Sequence, residues 1–235
     1  MDKKKAIITG ASSGIGLEIA KLMIKEDFLI YGISRNPERG GIKNQYFIPL
    51  KCDLADHEAL ILCAKYLHQK INSLDVLINN AGAGFFTFHE NLEPETIRYM
   101  VSLNFTAPMI LTSILLPSLI KAKGHIINIA SVTALQPSPL KAVYSATKAG
   151  LIHFSNSLFE EIRKKGVKCA TIIPGITKTH FFDNMDFIPA ADSQAYITPL
   201  CIAKAVKTVL EQRKGTMITE LVIQPQISSM KKKNH

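Results

Sequence analysis

The sequence predicts an α/β fold in which a doubly wound parallel sheet of about seven strands carries helices on both faces. Short apolar runs alternate along the chain with longer stretches whose apolar residues recur every three or four positions. The short runs are apolar at successive residues, as in strands that are buried on both faces of a parallel sheet. Because crossovers between parallel strands are right-handed, helices then cover both faces, and the sheet is Rossmann-like.

Seven strands follow from these apolar runs and from the residues that end them. The first run ends at Gly10, and the fourth is stopped by Asn79 and Asn80, since glycine and asparagine favour turns. The predicted strands cover residues 5–9, 28–33, 46–50, 76–78, 125–129, 167–173 and 220–223.

Five helices occupy stretches between the strands. The first carries Ile15, Ile19 and Leu22 on one face, which is the spacing of a helix packed on a sheet. Pro94 and Pro199 suit the first turns of the third and fifth helices, where a missing N–H removes no hydrogen bond. The predicted helices cover residues 15–25, 55–69, 94–120, 144–165 and 199–212.

Other residues mark where these helices begin, end or bend. Either Asp53 or Asp56 can cap the second helix, and Gly166 is placed to end the fourth. Pro108 and Pro117 fall inside the long third helix. Because an internal proline removes a backbone hydrogen bond, we expect a kink or break there.

The composition fits a single domain spanning residues 1–235. Apolar residues make up 47% of the chain and charged residues 20%, which is enough to fill a large core and too few charges for a disordered chain. Within this domain we expect residues 176–198 to form a substrate lid, because their sequence is irregular. Residues 226–235 are expected to form a flexible basic tail.

The net charge of +9 fits a protein that meets nucleic acid, anionic lipid or a phosphorylated ligand. Six of the lysines lie in two runs, at residues 3–5 and 231–233, and we expect both runs to be solvated ends. The sequence has no arginine-rich helix, zinc finger or RNP-like segment, so we expect no nucleic-acid partner. A phosphorylated ligand explains the charge more economically.

Cysteine and histidine usage indicates the compartment and the metal chemistry. Cys52, Cys63, Cys169 and Cys201 form no CxxC pair, and we expect reduced, buried thiols. The seven histidines lack ligand spacing, so we expect no metal site. We find no signal peptide and no uncharged apolar stretch of membrane-spanning length. The default expectation is a cytoplasmic protein without a membrane partner.

A glycine-rich turn joins the first strand to the first helix, with the sequence Thr9-Gly10-Ala11-Ser12-Ser13-Gly14-Ile15-Gly16. In dinucleotide-binding turns one glycine allows a sharp turn, another lets the backbone approach the pyrophosphate, and a third lets helix and strand pack closely. The helix N-terminus then offers free N–H groups to the phosphates, and Ser12 and Ser13 can add hydroxyl donors. Alone, the turn is also compatible with a tight connection that binds no ligand.

The end of the second strand bears on which dinucleotide would bind. An NAD site places an acidic residue there for the ribose hydroxyl, whereas this chain has Ser34, Arg35 and Asn36. An arginine would pair with the 2′-phosphate that distinguishes NADP from NAD. The sequence therefore favours NADP(H), unless Arg35 is an ordinary surface arginine.

Five landmarks occur together in one order along the chain. They are the turn at residues 9–16, Asn79-Asn80-Ala81-Gly82, Ser131, Tyr144-Ser145-Ala146-Thr147-Lys148, and Pro174-Gly175. With these motifs the chain resembles the short-chain dehydrogenase/reductase family, in its shorter, single-domain form, from Lys5 to about Pro225. The resemblance implies an NADP(H)-dependent oxidoreductase that acts on a small-molecule carbonyl or alcohol substrate and assembles as a homodimer or homotetramer.

The catalytic residues implied by this resemblance are Ser131, Tyr144, Lys148 and Asn104. Tyr144 and Lys148 are four residues apart and share one face of a helix. A neighbouring ammonium lowers the pKa of a phenol, so Tyr144 can act as general acid in reduction and general base in oxidation. The resemblance implies that Ser131 holds the substrate oxygen, that Lys148 also binds the nicotinamide ribose, and that Asn104 supports a water in a proton relay.

The resemblance also implies a set of cofactor contacts. Asp53 corresponds to the residue that contacts the adenine amino group, and Thr179 to a phosphate or carboxamide contact, whereas Thr177 departs from the family pattern. The implied cofactor-binding residues are Gly10, Ser12, Ser13, Gly14, Ile15, Gly16, Ser34, Arg35, Asn36, Asp53, Leu54, Asn80, Ala81, Gly82, Tyr144, Lys148, Pro174, Gly175, Ile176, Thr177 and Thr179.

The candidate substrate-binding residues are mainly aromatic and include no arginine pair that would grip a carboxylate. They therefore favour a mainly apolar carbonyl substrate, although many could equally pack in the core or the lid. They are Phe85, Phe86, Phe88, Leu135, Gln136, Phe181, Phe182, Met185, Phe187 and Tyr196.

Three functions remain open on the sequence. The first is reduction of one metabolic ketone, such as a 3-oxoacyl thioester on a carrier protein, and the second is a broad carbonyl reductase or alcohol dehydrogenase. The third is a non-catalytic NADPH-binding regulatory protein, against which the intact Ser131, Tyr144 and Lys148 argue. The apolar stripe that includes Leu151 and Leu158 could pack on a second subunit or on its own sheet.

Overall fold

A computed structural model of the protein describes residues 3–183, 185, 187–227 and 229–233. The described strands are β1 Lys4–Thr9, β2 Phe28–Ser34, β3 Phe47–Lys51, β4 Val76–Asn79, β5 His125–Ile129, β6 Lys168–Pro174, β7 Phe187–Pro189, β8 Glu220–Ile223 and β9 Met230–Lys232. The described α-helices are α1 Gly14–Lys25, α2 His57–Lys70, α3 Pro94–Val101, α4 Ala107–Ala122, α5 Ala142–Ile162 and α6 Pro199–Leu210.

Seven of the strands form one sheet in the order β3-β2-β1-β4-β5-β6-β8. Every neighbouring pair in it is parallel. The order runs outward in both directions from β1 and β4, which is the doubly wound arrangement. The predicted fold and strand number are therefore confirmed, and the bounds of each predicted strand agree with the structure to within one or two residues.

Two apolar cores flank the sheet. Successive residues of a strand point to opposite faces, so Ile7 packs into one core and Ile8 into the other. Helices α1 and α6 cover the face of Ile8, and α2, α4 and α5 cover the face of Ile7. Leu158 of α5 lies in the same core as Ile7, which we call the second core, so the apolar stripe of this helix faces its own sheet.

The long third helix differs from the expectation at its prolines. The backbone stays helical from residue 94 to residue 122, and a π-helical turn at Ser102–Thr106 separates α3 from α4. Pro108 follows this turn and has no N–H to give to the carbonyl four residues earlier, which favours a change of hydrogen-bond register there. Pro117 lies inside α4, which continues through it, so the helix is not broken there, and a kink at Pro117 stays a prediction.

The same helix is long and apolar enough, by length and composition, to cross a membrane. Its most apolar window has a mean hydropathy of 1.6, and half of that window is buried inside the protein. Leu111, Leu115 and Leu119 pack in the second core with α2 and the sheet. The helix is therefore placed as a core helix, and its apolar character is accounted for by packing.

The basic ends are more ordered than the sequence indicated. Lys4 and Lys5 belong to β1, and β9 pairs antiparallel with β7. Residues 230–232 of the tail expected over residues 226–235 thus pair with the lid, and the flexibility of the tail stays a prediction. Residues 228, 234 and 235 of that tail, and residues 184 and 186 of the lid, lie outside the described residues.

The four cysteines are free, as expected, but they are not all buried. Cys52 and Cys169 are buried, Cys63 is half-buried, and Cys201 is exposed. Cys201 lies in the first turn of α6, on the helix side that faces away from the sheet. The expectation of a buried thiol is wrong at this position.

Because of His125, at the start of β5, we expect the folded protein to lose stability in acid. Burial and the nearby Lys168 and Lys4 lower its pKa to about 4, whereas in an unfolded chain it is ~6.5. The contribution of neutral His125 to the free energy of unfolding is complete above pH ~6.5. It is lost as pH falls toward about 4, at up to ~1.4 kcal/mol per pH unit. We expect His125→Gln to flatten the pH dependence of the unfolding free energy in this window.

Urea unfolding at a series of pH values measures this effect. His153→Gln, at an exposed position of α5, is the matched control and is expected to retain the pH dependence of the wild type. An unchanged pH slope in His125→Gln would contradict the assignment.

Candidate active site

A cavity of about 1400 Å³ opens at the carboxyl ends of the central strands. This edge is where ligands bind in open parallel sheets, at the point where the strand order reverses. The predicted site residues on its wall are Gly10, Ser13, Gly14, Ile15, Arg35, Asn80, Ala81, Gly82, Ser131, Tyr144, Lys148, Pro174, Gly175, Ile176, Thr177 and Thr179.

The other predicted site residues do not line this cavity. Asn104 and Leu54 are buried behind the wall, and Gly16 packs on the backbone of the turn. Asp53 is exposed beside the cavity, and its Oδ1 accepts a hydrogen bond from the Ala55 N–H at 3.0 Å. Off the wall lie Ser12, Gly16, Ser34, Asn36, Asp53, Leu54 and Asn104.

The glycine turn at residues 9–16 is held by hydrogen bonds from the end of β4. The Thr9 Oγ1 accepts from the N–H groups of Asn80 and Ala81, each at 2.9 Å. Gly10 has φ of +69°, which other residues rarely adopt. A Cβ on Gly16 would lie 2.4 Å from the Gly10 carbonyl oxygen, so this position requires glycine for helix–strand packing.

The N-terminus of α1 faces the cavity with its N–H groups free of side-chain caps. Ser13 is the residue before the helix and makes no capping hydrogen bond, and the first turn contains no acidic residue. Unpaired N–H groups and the helix dipole together make such an end an anion site. The residues present therefore fit the pyrophosphate of a dinucleotide.

Two arginines lie on the cavity wall at the end of β2. Arg35 was predicted, whereas Arg39, in the short helical turn Pro37–Gly40, was not. Both side chains are exposed, and neither forms an ion pair within the described part of the chain. Beside them, the Ser34 hydroxyl oxygen is buried without a hydrogen-bond partner among the described residues. The two arginines could together hold a phosphate monoester.

Tyr144 and Ser131 meet on the opposite wall. Tyr144 lies in the first turn of α5 and is 8% exposed. Ser131 follows β5, and its Oγ accepts hydrogen bonds from the N–H and the hydroxyl of Thr133 at 3.3 Å and 3.1 Å. Burial raises the pKa of Tyr144 to about 12, and a hydrogen bond to Ser131 lowers it by a smaller amount. The phenol therefore keeps its proton at neutral pH.

Lys148 lies one helical turn beyond Tyr144 and is 4% exposed. Its Nζ donates to the Ile129 carbonyl at 2.9 Å and lies 5.8 Å from the centroid of the Tyr144 ring. Burial lowers the pKa of Lys148 to about 8. The expected lowering of the Tyr144 pKa is therefore wrong in its net direction for the protein as described, because desolvation of the phenol is the largest effect on that pKa.

Asn104 lies in the π-helical turn between α3 and α4, fully buried. Its side-chain amide pairs with the backbone of Ala83, accepting from the N–H and donating to the carbonyl, both at 2.8 Å. A Cβ on Gly82 would lie 3.2 Å from the Asn104 Oδ1 and 3.4 Å from the Lys148 Nζ. Asn104 thus positions the loop that passes against Lys148.

The far end of the cavity is aromatic. Phe86 and Phe181 pack against Tyr144, with ring centroids 5.4 Å and 5.8 Å from it. From the candidate substrate residues, the structure places Phe85, Phe86, Gln136, Phe181, Phe182 and Met185 on the wall. It leaves Phe88, Leu135, Phe187 and Tyr196 away from the wall.

Sequence reasoning missed Lys141 and Met230, which also line this end. Lys141 stands three residues before Tyr144, a spacing that could have identified it as a neighbour of the phenol. Met230 belongs to β9, and nothing in the sequence connects the C-terminal segment to the lid. Lys233 adds to this connection, since its Nζ donates to the carbonyls of Phe182 and Asp183 at 3.0 Å and 2.6 Å.

Metal chemistry was not expected from the sequence. Within residues 3–183, 185, 187–227 and 229–233, no group of three or more His, Cys, Asp or Glu side chains is placed to hold a metal ion.

Comparison with known proteins gives concordant relatives. An uncharacterized oxidoreductase from Staphylococcus epidermidis is 32% identical over 228 residues, which cover 95% of this chain and 97% of the relative. The serine 3-dehydrogenase of Agrobacterium fabrum is 34% identical over 180 residues, or 74% of this chain and 72% of that enzyme. A metagenomic short-chain oxidoreductase solved in complex with NADP superposes with a TM-score of 0.81 at 28% identity, covering 95% and 98% of the two chains.

The profile of one protein family, described as short chain dehydrogenase, matches residues 4–186. The match begins at β1 and includes the glycine turn, Ser131, Tyr144 and Lys148. On this match, and on relatives that align over nearly the whole chain, the protein belongs to the short-chain dehydrogenase family of oxidoreductases.

Proposed function

We propose that the protein is an NADP(H)-dependent oxidoreductase that transfers a hydride between the nicotinamide and a carbonyl or hydroxyl carbon of a small molecule. The observation that carries the proposal is the buried Tyr144 phenol, beside Ser131 and one helical turn from Lys148, on the wall of a large cavity. Buried groups with displaced pKa values that converge on a cavity are typical of acid–base catalysis. NADPH, when bound, supplies the hydride.

In the reductive direction Tyr144 gives its proton to the substrate oxygen as the carbonyl carbon accepts the hydride. The Ser131 hydroxyl accepts from Thr133 and keeps its own proton to donate to the same oxygen. The Lys148 ammonium, 5.8 Å from the ring centroid, stabilises the phenolate that remains. In oxidation the same groups act in reverse, with Tyr144 as the base.

Cofactor preference is proposed from the charges at the end of β2. Arg35 and Arg39 provide two cations without carboxylate partners in the described chain, next to the buried Ser34 hydroxyl. A 2′-phosphate would pair with both arginines, and the ribose hydroxyl of NAD(H) would not. The glycine turn and the N-terminus of α1 would hold the pyrophosphate, and Asp53 the adenine.

The remaining expectations enter as parts of the same proposal. Asn104 would support a water between solvent and Lys148, which restores the proton that Tyr144 gives up. Residues 176–198 would close over the substrate and exclude water. A single catalytic domain over residues 1–235, a cytoplasmic location and a homodimer or homotetramer complete it.

A non-catalytic NADPH-binding role fits the same observations less well. Removing the Tyr144 phenol and the Lys148 ammonium from water costs free energy, and a protein that only binds the dinucleotide would gain nothing from this arrangement. A 3-oxoacyl-thioester reductase remains within the proposed enzyme class, distinguished by its substrate alone.

The test begins with fluorescence titrations of the purified protein with NADPH and, separately, NADH. We expect tight NADPH binding and weaker NADH binding, followed by ketone-dependent oxidation of NADPH in a panel of ketones and acyl thioesters. Binding of neither nucleotide would overturn the proposal. Binding without turnover of any member of the panel would favour the regulatory role.

A further inference from the structure

A single lysine lies at the substrate end of the cavity. Lys141 is the residue immediately before α5 and lines the same cavity as Tyr144. Its Nζ lies 5.2 Å from the centroid of the Phe86 ring, and that ring lies 5.4 Å from the Tyr144 ring, centroid to centroid. The Lys141 ammonium and the Tyr144 ring therefore both lie against Phe86 on the wall of the same cavity.

This ammonium lacks a carboxylate partner among the described residues. Lys141 is half-buried, and burial lowers its pKa. Two acids of the same cavity wall are already engaged, Glu95 with Arg98 and Asp183 with His180. The third acid of the wall, at residue 93, is exposed and forms no ion pair in the described structure. The Phe86 ring offsets part of the electrostatic cost of placing Lys141 here, and no carboxylate of the described residues offsets the rest.

An anionic ligand would remove that cost. A carboxylate accepts charge-assisted hydrogen bonds from an ammonium, and such bonds are stronger than neutral ones. The attraction is greater here than in open water, because Phe86 lies against the ammonium and lowers the local dielectric constant. Lys141 therefore has the properties of an anchor for a negatively charged substrate group.

We propose that Lys141 binds a carboxylate of the substrate, so that the substrate is a short oxo acid or hydroxy acid. This inference rests on the proposed function, which places the reacting carbon at Tyr144. The carbonyl oxygen would lie on Tyr144 and Ser131, the carboxylate on the Lys141 Nζ, and the carbons between them against Phe86 and Phe181. This proposal of a charged substrate differs from the mainly apolar substrate expected from the aromatic residues. One lysine supplies the positive charge that the missing arginine pair would have supplied.

The first test compares turnover of acetoacetate with that of its uncharged methyl ester, using NADPH. We expect Lys141→Met to lower kcat/KM for acetoacetate by ~10- to 100-fold, the loss of one charge-assisted hydrogen bond, mainly through KM. Turnover of the ester is expected to fall by a smaller factor than turnover of the acid, because the neutral ester group accepts no charge-assisted hydrogen bond. Lys141→Arg is expected to retain the preference for the acid. Lys204→Met, at an exposed position of α6, is the control for loss of one positive charge.

The second test measures binding without turnover. Butyrate and the uncharged butyramide are titrated into the protein–NADPH complex, with bound-NADPH fluorescence as the signal. We expect butyrate to bind more tightly than butyramide in the wild type and in Lys204→Met, and the difference to disappear in Lys141→Met.

The outcomes separate this inference from the proposed function. Equal losses of kcat/KM for the acid and the ester in Lys141→Met would overturn the inference, as would butyrate binding that does not depend on Lys141. In either case, reduction of a ketone would leave the proposed function standing. Butyrate binding through Lys141 with no reduction of either ketone, or of any other, would support the anion site and overturn the proposed function.

Discussion

Replacing Tyr144 with phenylalanine is expected to lower kcat by ~10²- to 10⁴-fold, the usual contribution of a positioned general acid. The phenol oxygen is the atom that is lost, while the ring remains packed between Phe86 and Phe181. The Kd of NADPH is therefore expected to stay nearly unchanged, and the variant to keep its fold. Steady-state kinetics in both directions, beside an NADPH titration, measure the two effects on one preparation.

The pH dependence provides a second measure of the same role. Because burial raises the Tyr144 pKa to about 12, the phenol is protonated throughout the neutral range and is ready to act in reduction. Oxidation requires the phenolate, so its rate is expected to rise as pH rises, and Tyr144→Phe to lose this rise. Tyr66→Phe, at an exposed position of α2, is the matched control. Full activity in Tyr144→Phe would show that another group transfers the proton.

The fold was predictable because its signals are local. Strands buried on both faces leave apolar runs such as Lys168–Pro174, and each helix between them has three-to-four spacing. The nearness of Tyr144 and Lys148 was predictable for the same reason, since the two residues are neighbours on one helix. Ser131 lies near Tyr144 and Lys148 because it follows β5, and α5 is the helix that connects β5 to its neighbour β6 in the sheet.

The features that sequence did not reveal depend on contacts between distant segments. β7 and β9 are three-residue strands separated by more than forty residues, and neither has the alternation that predicts a pair. The π-helical turn at Ser102–Thr106 is a change of hydrogen-bond register, which no residue type specifies. A lysine such as Lys141 carries no sign in sequence of being half-buried beside an aromatic ring.

The pKa of Tyr144 illustrates the same limit in energetic terms. The sequence identifies the ammonium that lowers it but not the packing that raises it, and only the arrangement in three dimensions decides which effect is larger. Desolvation is larger here. The sequence therefore predicts the direction of the Tyr144 pKa shift wrongly, and the role of Tyr144 as the reacting group stays a prediction.

The second large effect is expected at the end of β2, where Arg35→Ala is expected to weaken NADPH binding far more than NADH binding. A charge-assisted contact to a phosphate contributes ~1.5–3 kcal/mol, or ~10- to 100-fold in Kd. Arg39 lies on the same wall, so Arg39→Ala is expected to act in the same direction. The double variant is expected to lose most of the discrimination between the two nucleotides.

Salt provides an independent check on this assignment. Because both guanidinium groups are exposed, their attraction to a phosphate is screened by ions, and the Kd of NADPH is expected to rise with ionic strength more steeply than that of NADH. Arg35→Ala is expected to reduce the steeper slope toward that of NADH. Arg163→Ala, which removes an arginine paired with Glu160 at the end of α5, is the control. It is expected to alter the ionic-strength dependence of neither the NADPH Kd nor the NADH Kd. Equal weakening of both nucleotides in Arg35→Ala would mean that this arginine supports the fold of the site and does not bind the 2′-phosphate.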